Sequence, residues 1–370
     1  MTPTTTSGRR PRAANADLAA QMKRLHALMS APAAAYPGSV TGAASTAQEG
    51  SHPPRRQLFD LDELAQRKRW ADRLPTDSQK VVRAQLDLAE KLGAWRRVAI
   101  APSSGDFADL KRDFPHFRTV TAALERRALL CRRAPEPVHC MPPLLLTGPP
   151  GLGKSVYVKA LAQLLGVPHH EIDGATLTAG FSLSGLDIGY ASGRPGQLWD
   201  ALQNECMSPC VTLDEIDKAP NEGAYPALGC LYSLLEMHSA RRFRDAAMGL
   251  TVDASWISWI ATCNHPDALD SALLSRFEVF DIAMPSTGEM AAVVDSVQRG
   301  LAATANWMGS FEPGLRENVV AALCALTPRV VRRVLEDAYA RAAAADRDYL
   351  VPEDIRPTDS RLARPPIGFI

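Results

Sequence analysis

The sequence predicts an α/β fold: an αβα sandwich on a parallel sheet, preceded by a helical region and followed by an α-helical lid. Three features predict it. Leu144 to Leu146 form a short apolar run that ends in a glycine-rich turn. From there to about Ala283, apolar runs such as Val211-Thr212-Leu213 and Trp256 to Ala261 alternate with helical patterns. After Pro285 the pattern is helical again. Alternation of strand and crossover helix requires a parallel sheet with helices on both faces.

The flanking segments follow in chain order. Residues 1–56 are rich in Thr, Ala, Pro, Ser and Gly, and carry seven basic residues against Asp17 and Glu49. So little apolar surface cannot offset the entropy of ordering, and a disordered tail is expected. Within it, Leu18 to Met29 could form a transient amphipathic helix. Residues 57–135 read as a helical region, with Thr76 and Gln79 spaced as a capping box. After them Val81, Ala84, Leu88, Leu92 and Trp95 recur at intervals of three and four. The core is expected over 136–285 and the lid over 286–350. The lid's clearest helix begins at Thr327-Pro328 and turns Val331, Val334, Ala338 and Ala342 inward. Residues 351–370 are expected to be a tail that ends apolar at Ile367, Phe369 and Ile370.

Composition limits the partners. Lys plus Arg equal Asp plus Glu at 41 each, so no net field attracts nucleic acid or an anionic membrane. No apolar run approaches the ~20 residues that span a bilayer. The seven cysteines form no CxxC pair and suit a reduced, cytoplasmic protein.

Gly148-Pro149-Pro150-Gly151-Leu152-Gly153-Lys154-Ser155 satisfies the phosphate-loop pattern G-x-x-x-x-G-K-[ST]. A triphosphate can be wrapped by backbone N–H groups only where side chains do not obstruct them, hence the glycines. Lys154 brings a cation to the phosphates, the Ser155 hydroxyl suits Mg²⁺, and Val156 opens a helix aimed at the anion. About sixty residues on, an apolar strand ends in Asp214-Glu215. Asp214 is placed to hold Mg²⁺ and Glu215 to deprotonate an attacking water. ATP and Mg²⁺ are the ligands expected.

Together these segments resemble the AAA+ family, and more closely the ATPase module of Lon-type ATP-dependent proteases. The likeness runs from about 140 to 340. Gly189-Tyr190-Ala191-Ser-Gly-Arg-Pro-Gly196 is similar to the Lon segment bearing a substrate-gripping pore loop, although tyrosine in a Gly-rich loop also packs locally. Phe243-Arg-Asp245, Ala261-Thr-Cys-Asn264 and Leu273-Leu-Ser-Arg276-Phe are similar to further Lon segments. The resemblance implies that Asn264 is a polar sensor and Arg276 a finger reaching a neighbour's ATP. Arg329 would be the lid sensor, with Arg332 and Arg333 as competitors. It also implies a ring, expected to be hexameric, that remodels or unfolds a protein substrate. The Lon peptidase dyad has no counterpart in this sequence, so cleavage would fall to a separate effector chain. A slow nucleotide-switched scaffold and a nucleic-acid remodeller are the alternatives.

Overall fold

The computed structural model describes residues 53–220 and 226–356. Leu18 to Met29 and Arg361 to Ile370 lie outside them.

Five parallel strands form the central sheet: β3 (Leu144–Thr147), β4 (His169–Asp173), β5 (Cys210–Asp214), β8 (Ser258–Cys263) and β9 (Glu278–Asp281). Their spatial order is β4-β5-β8-β3-β9, and β6 (Phe243–Arg244) and β7 (Thr251–Val252) pair antiparallel apart from it. Strands buried on both faces should be continuously apolar, and β3 and β8 are buried throughout. Successive side chains alternate between faces. Leu145 therefore joins one core with Leu213, Trp199 and Leu231, while Leu144 and Leu146 join the other with Tyr157, Val158 and Leu161.

Expected and observed strands differ at β8, which begins two residues late. The Asp253 carboxylate accepts from Ser255 N at 3.0 Å, and Ile257 N donates to Ala254 O, so Trp256 sits in a turn. The strand consequently runs on to Cys263, delivering Asn264 to the sheet edge.

Before the sheet, β1 (Arg55–Gln57) and β2 (Trp95–Arg97) pair antiparallel and bracket two helices, α1 (Leu61–Ala71) and α2 (Thr76–Leu92). Arg55 and Arg56, expected in the tail, are thus strand residues. The expected capping box at Thr76 is absent. Pro75 occupies the cap position, and Gln79 donates to Asp72 O at 3.2 Å instead. The buried stripe is also displaced by one position, to Val82, Leu86 and Ala89, leaving Val81 and Leu88 exposed. Aliphatic residues occupy two adjacent stripes of α2, and packing against α1 selects the one that periodicity alone did not.

This region has no separate core. Leu64, Val82 and Leu86 share the cluster beneath one sheet face; Phe107, Phe117 and Val120 share the other, the last from α3 (Arg118–Cys131). Arg96, 1% exposed, fastens the seam by donating to the carbonyls of Ala89, Gly93, Leu202 and Asn204. Among the described residues no carboxylate forms an ion pair with it, and burial pulls its pKa down to about 10.

α4 (Lys154–Leu164) follows β3. Beyond the sheet, the lid comprises α5 (Thr287–Thr304), α6 (Glu317–Cys324) and α7 (Pro328–Ala344) around a third core containing Val294, Leu323, Val331 and Leu335. A capping box opens α5, Ser286 and Glu289 bonding each other's backbone N–H. The packed chain continues past the expected boundary at 350. Arg347 pairs with Asp354 at 2.8 Å, and Ile355 packs on the lid core.

His139 is 4% exposed, and neither ring nitrogen has a hydrogen-bond partner among the described residues. Burial therefore depresses its pKa to about 4. Between that value and the unfolded ~6.5, the unfolded chain binds a proton that the native one refuses, so stability falls as pH drops through this window. His139→Gln should remove up to about 3 kcal/mol of that acid-side loss. Unfolding midpoints from pH 7 to pH 4 measure it, and an unchanged slope contradicts the assignment.

Candidate nucleotide site

A cleft of about 490 Å³ opens where the sheet's carboxyl edge meets the lid. Its size suits a small-molecule ligand. All of the residues from Pro150 to Val156 line it, with Asp214, Glu215, Asn264 and Arg329.

The phosphate loop is shaped by glycines that no other residue could replace freely. Gly148, Gly151 and Gly153 have φ of 135°, 85° and 86°, values that L side chains rarely adopt. A Cβ at Gly148 would lie 2.4 Å from Ile282 O, and one at Gly151 would lie 2.7 Å from Arg329 Cβ. The second contact is informative, because it puts the first turn of α7 directly over the loop. Arg332 also lines the cleft and pairs with Glu336 at 3.0 Å; Arg333 does not line it.

Lys154 Nζ donates to Gly148 O at 2.6 Å, Pro149 O at 3.2 Å and Asn264 Oδ1 at 2.8 Å. Burial lowers its pKa, opposed by Cys263, Asp217, Asp214 and Glu215 nearby. Asn264 Nδ2 in turn donates to Glu215 Oε1 at 3.3 Å, and Lys218 pairs with Oε2. Thus Lys154, Asn264 and Glu215 form one hydrogen-bonded line. Beside it, Ser155 Oγ donates to both Asp214 oxygens at 3.0 Å, and Thr262 Oγ1 donates to Oδ1.

Glu215 has φ 50° and ψ 48°, a left-handed conformation uncommon outside glycine. Its N–H donates to Thr262 Oγ1 at 2.9 Å, and its carbonyl accepts from Lys218 N at 2.9 Å. Gly174 permits the arrangement, since a Cβ there would stand 2.5 Å from Glu215 O.

The donor set fits the expected ligands. Ser155 and Asp214 converge as hard oxygen donors, the chemistry that Mg²⁺ takes. The loop before them turns through left-handed backbone at Gly148, Gly151 and Gly153, which suits a backbone cradle for phosphate.

Sequence reasoning missed the far end of the cleft. Asp113, Phe114 and His116 line it from the segment before α3, and Val293, Val297 and Gly300 line it from α5. His116 Nε2 bonds Leu152 O at 2.9 Å, while Nδ1 has no partner among the described residues. Burial lowers the pKa of this ring. Phe114-Pro-His-Phe117 just before a helix was the available signal.

Gly148 and Pro149 at the start of the loop are not among the lining residues, and Arg276 and Tyr190 also lie outside the cleft. Arg276 donates to Tyr232 O at 3.2 Å and pairs with Glu236 at 3.3 Å. Tyr190 is 66% exposed at the tip of a loop closed by the Leu186–Arg194 bridge. The loop's base is held by Asp245, fully buried, which accepts from Gly196 N at 2.8 Å.

Gly148→Ala should abolish nucleotide affinity, and chelating Mg²⁺ should weaken binding to the parent chain by at least about tenfold. Titration with a fluorescent ATP analogue measures both; full affinity of the variant would contradict the cradle.

Residues 144–283 match the family described as "ATPase family associated with various cellular activities (AAA)". Similar curated proteins include the peroxisomal Lon protease homolog 2 of Caenorhabditis elegans, 30% identical over 156 residues. Lon protease 2 of Bdellovibrio bacteriovorus is 28% identical over 208 residues. These alignments cover 41% and 55% of this chain but 20% and 25% of the relatives, so the match spans a quarter of their length or less. Among solved structures, closed-state Hsp104 with ATPγS and FITC casein has a TM-score of 0.54 at 17% identity. That likeness covers 64% of this chain and 46% of that one. Among the described residues no helix is long and apolar enough to cross a membrane. Residues 144–283 therefore match the AAA ATPase family and carry the P-loop αβα fold, similar to the ATPase module of Lon proteases.

Proposed function

We propose that the chain hydrolyses Mg-ATP and couples turnover to the remodelling or unfolding of a protein substrate. One observation carries the reading: Lys154, Asn264 and Glu215 are joined by hydrogen bonds directly beside the Ser155–Asp214 pair. A nucleotide-binding switch needs only the cradle, whereas hydrolysis also needs a placed base.

In this reading the N–H groups of Gly151 to Ser155 and the Lys154 ammonium hold the phosphates. Ser155 and Asp214 would hold magnesium, which when bound neutralises charge on the phosphate oxygens. Glu215 accepts the proton of the attacking water, and Asn264 orients that water. Phe114, His116, Val293 and Val297 enclose the base. Arg329, stacked on Gly151, brings lid motion to the phosphates.

By resemblance, Arg276, which lies outside its own cleft, is a finger toward a neighbouring subunit, and the assembly a ring, hexameric by the same resemblance. A protein substrate is supported by the relatives, which are named as proteases, and by a similar fold captured with casein. Exposed Tyr190 is the residue proposed to grip that substrate.

Glu215→Gln should lower ATP turnover at least about 100-fold while nucleotide affinity changes less than about threefold. Phosphate release and equilibrium titration separate the two, and equal turnover by parent and variant overturns the motor reading in favour of a switch. Stimulation of the parent by DNA but not by unfolded protein would move the substrate to nucleic acid. Mixing Lys154→Ala with Arg276→Ala chains should restore activity to a fraction of sites. Mixtures that remain inactive would place Arg276 outside catalysis.

A further inference from the structure

Where β8 ends at Cys263, its neighbour β5 has already turned away at Asp214, so the next backbone N–H groups have no strand to meet. The Asp217 side chain takes them. Its carboxylate accepts from Asn264 N at 3.3 Å and from His265 N at 3.1 Å. Asp217 itself is fixed in the one-turn 3-10 segment Ile216–Lys218, whose backbone folds back onto the Glu215 carbonyl. One short loop therefore carries Glu215 on one side and a grip on the Asn264 backbone on the other.

That grip has a consequence at the side chain. Asn264 must present its carbonyl to Lys154 and its NH₂ to Glu215 at once. A planar amide satisfies both only if its own backbone is held still, and a strand end with unbonded N–H groups frays. We propose that Asp217 is a positioning residue for ATP hydrolysis: it clamps the strand end so that Asn264 bridges the cradle lysine and the carboxylate base. The proposal rests on the hydrolysis reading above. It also gives the acidic loop a second task besides supplying Asp214 and Glu215.

If so, Asp217 acts on turnover through Asn264 rather than through its charge near Lys154. Asp217→Ala should lower kcat roughly 30-fold with the affinity for a fluorescent ATP analogue changed less than about threefold. Asp217→Asn, nearly isosteric and still an acceptor, should recover most of the loss. The decisive measurement is a double-mutant cycle on the full chain with Asn264→Ala. Once Asn264 is truncated, Asp217→Ala should cost no more than about twofold further in kcat. Multiplicative losses would overturn the role, as would a parallel loss of nucleotide affinity. Parent chain that turns over while the two losses multiply defeats this proposal alone; parent chain without turnover defeats the hydrolysis reading and this role together.

Discussion

Three neighbouring strands ending at one sheet edge are the constraint on which the cleft depends. β3, β8 and β5 lie side by side; Asn264 and Glu215 directly follow β8 and β5, and the loop after β3 leads to Lys154 at the start of α4. Strand spacing is about 4.8 Å, close to the reach of one polar side chain. The hydrogen bonds from Lys154 to Asn264 to Glu215 therefore cross the sheet in strand order. Slipping β8 by one residue would turn Asn264 to the other face and cut the line. Buried residues of β3 and β8 thus set the geometry of a polar site that β8 enters at Thr262.

Holding that line involves local strain. Glu215 adopts a left-handed backbone that a non-glycine residue avoids, at a cost of order 1–3 kcal/mol. Thr262 takes its N–H, Lys218 N meets its carbonyl, and Gly174 leaves space beside it. All of these partners are themselves fixed by sheet or turn. The conformation swings the carboxylate out of the strand direction toward Asn264, while Asp214, one residue earlier, stays beside Ser155. Two adjacent acids can thereby serve different atoms.

How much of this was legible in the sequence depends on whether local chemistry or long-range packing decides the point. The phosphate loop is readable because each glycine answers a backbone demand within eight residues. The Asp-Glu pair is readable because an apolar strand delivers it. By contrast, the buried stripe of α2 was misread by one position, since Val81 and Val82 are equivalent until α1 chooses between them. The start of β8 was misread because Asp253 makes a turn whose apolar residues look like strand. Gly174 gave no signal and Thr262 none apart from its segment; their importance comes from lying against Glu215, 41 and 47 residues away in sequence.

The same distinction explains the far side of the cleft. Phe114 and His116 come from a segment before the sheet, and Val293 and Val297 come from the lid. Their meeting is enforced by charge as well as by packing. Asp113, 6% exposed, accepts from Arg112 on its own segment and from Arg299 on α5, each at 2.8 Å, and Arg118 pairs with Glu289 at the start of α5. Burial works against an ionised Asp113, but the two guanidinium groups still hold its pKa below the ordinary carboxylate range. A buried carboxylate shared by two arginines is costly to separate, because either half alone would be left charged and poorly solvated. The lid is therefore tied to the N-terminal segment at the base end, while Arg329 touches the phosphate loop at the other. A ligand that fills both ends must bear on the lid at two points separated by its own length. Two separated contacts resist rotation where one would only resist translation, so on the proposed reading a change at the phosphate end alone would turn the lid about the Asp113–Arg299 tie.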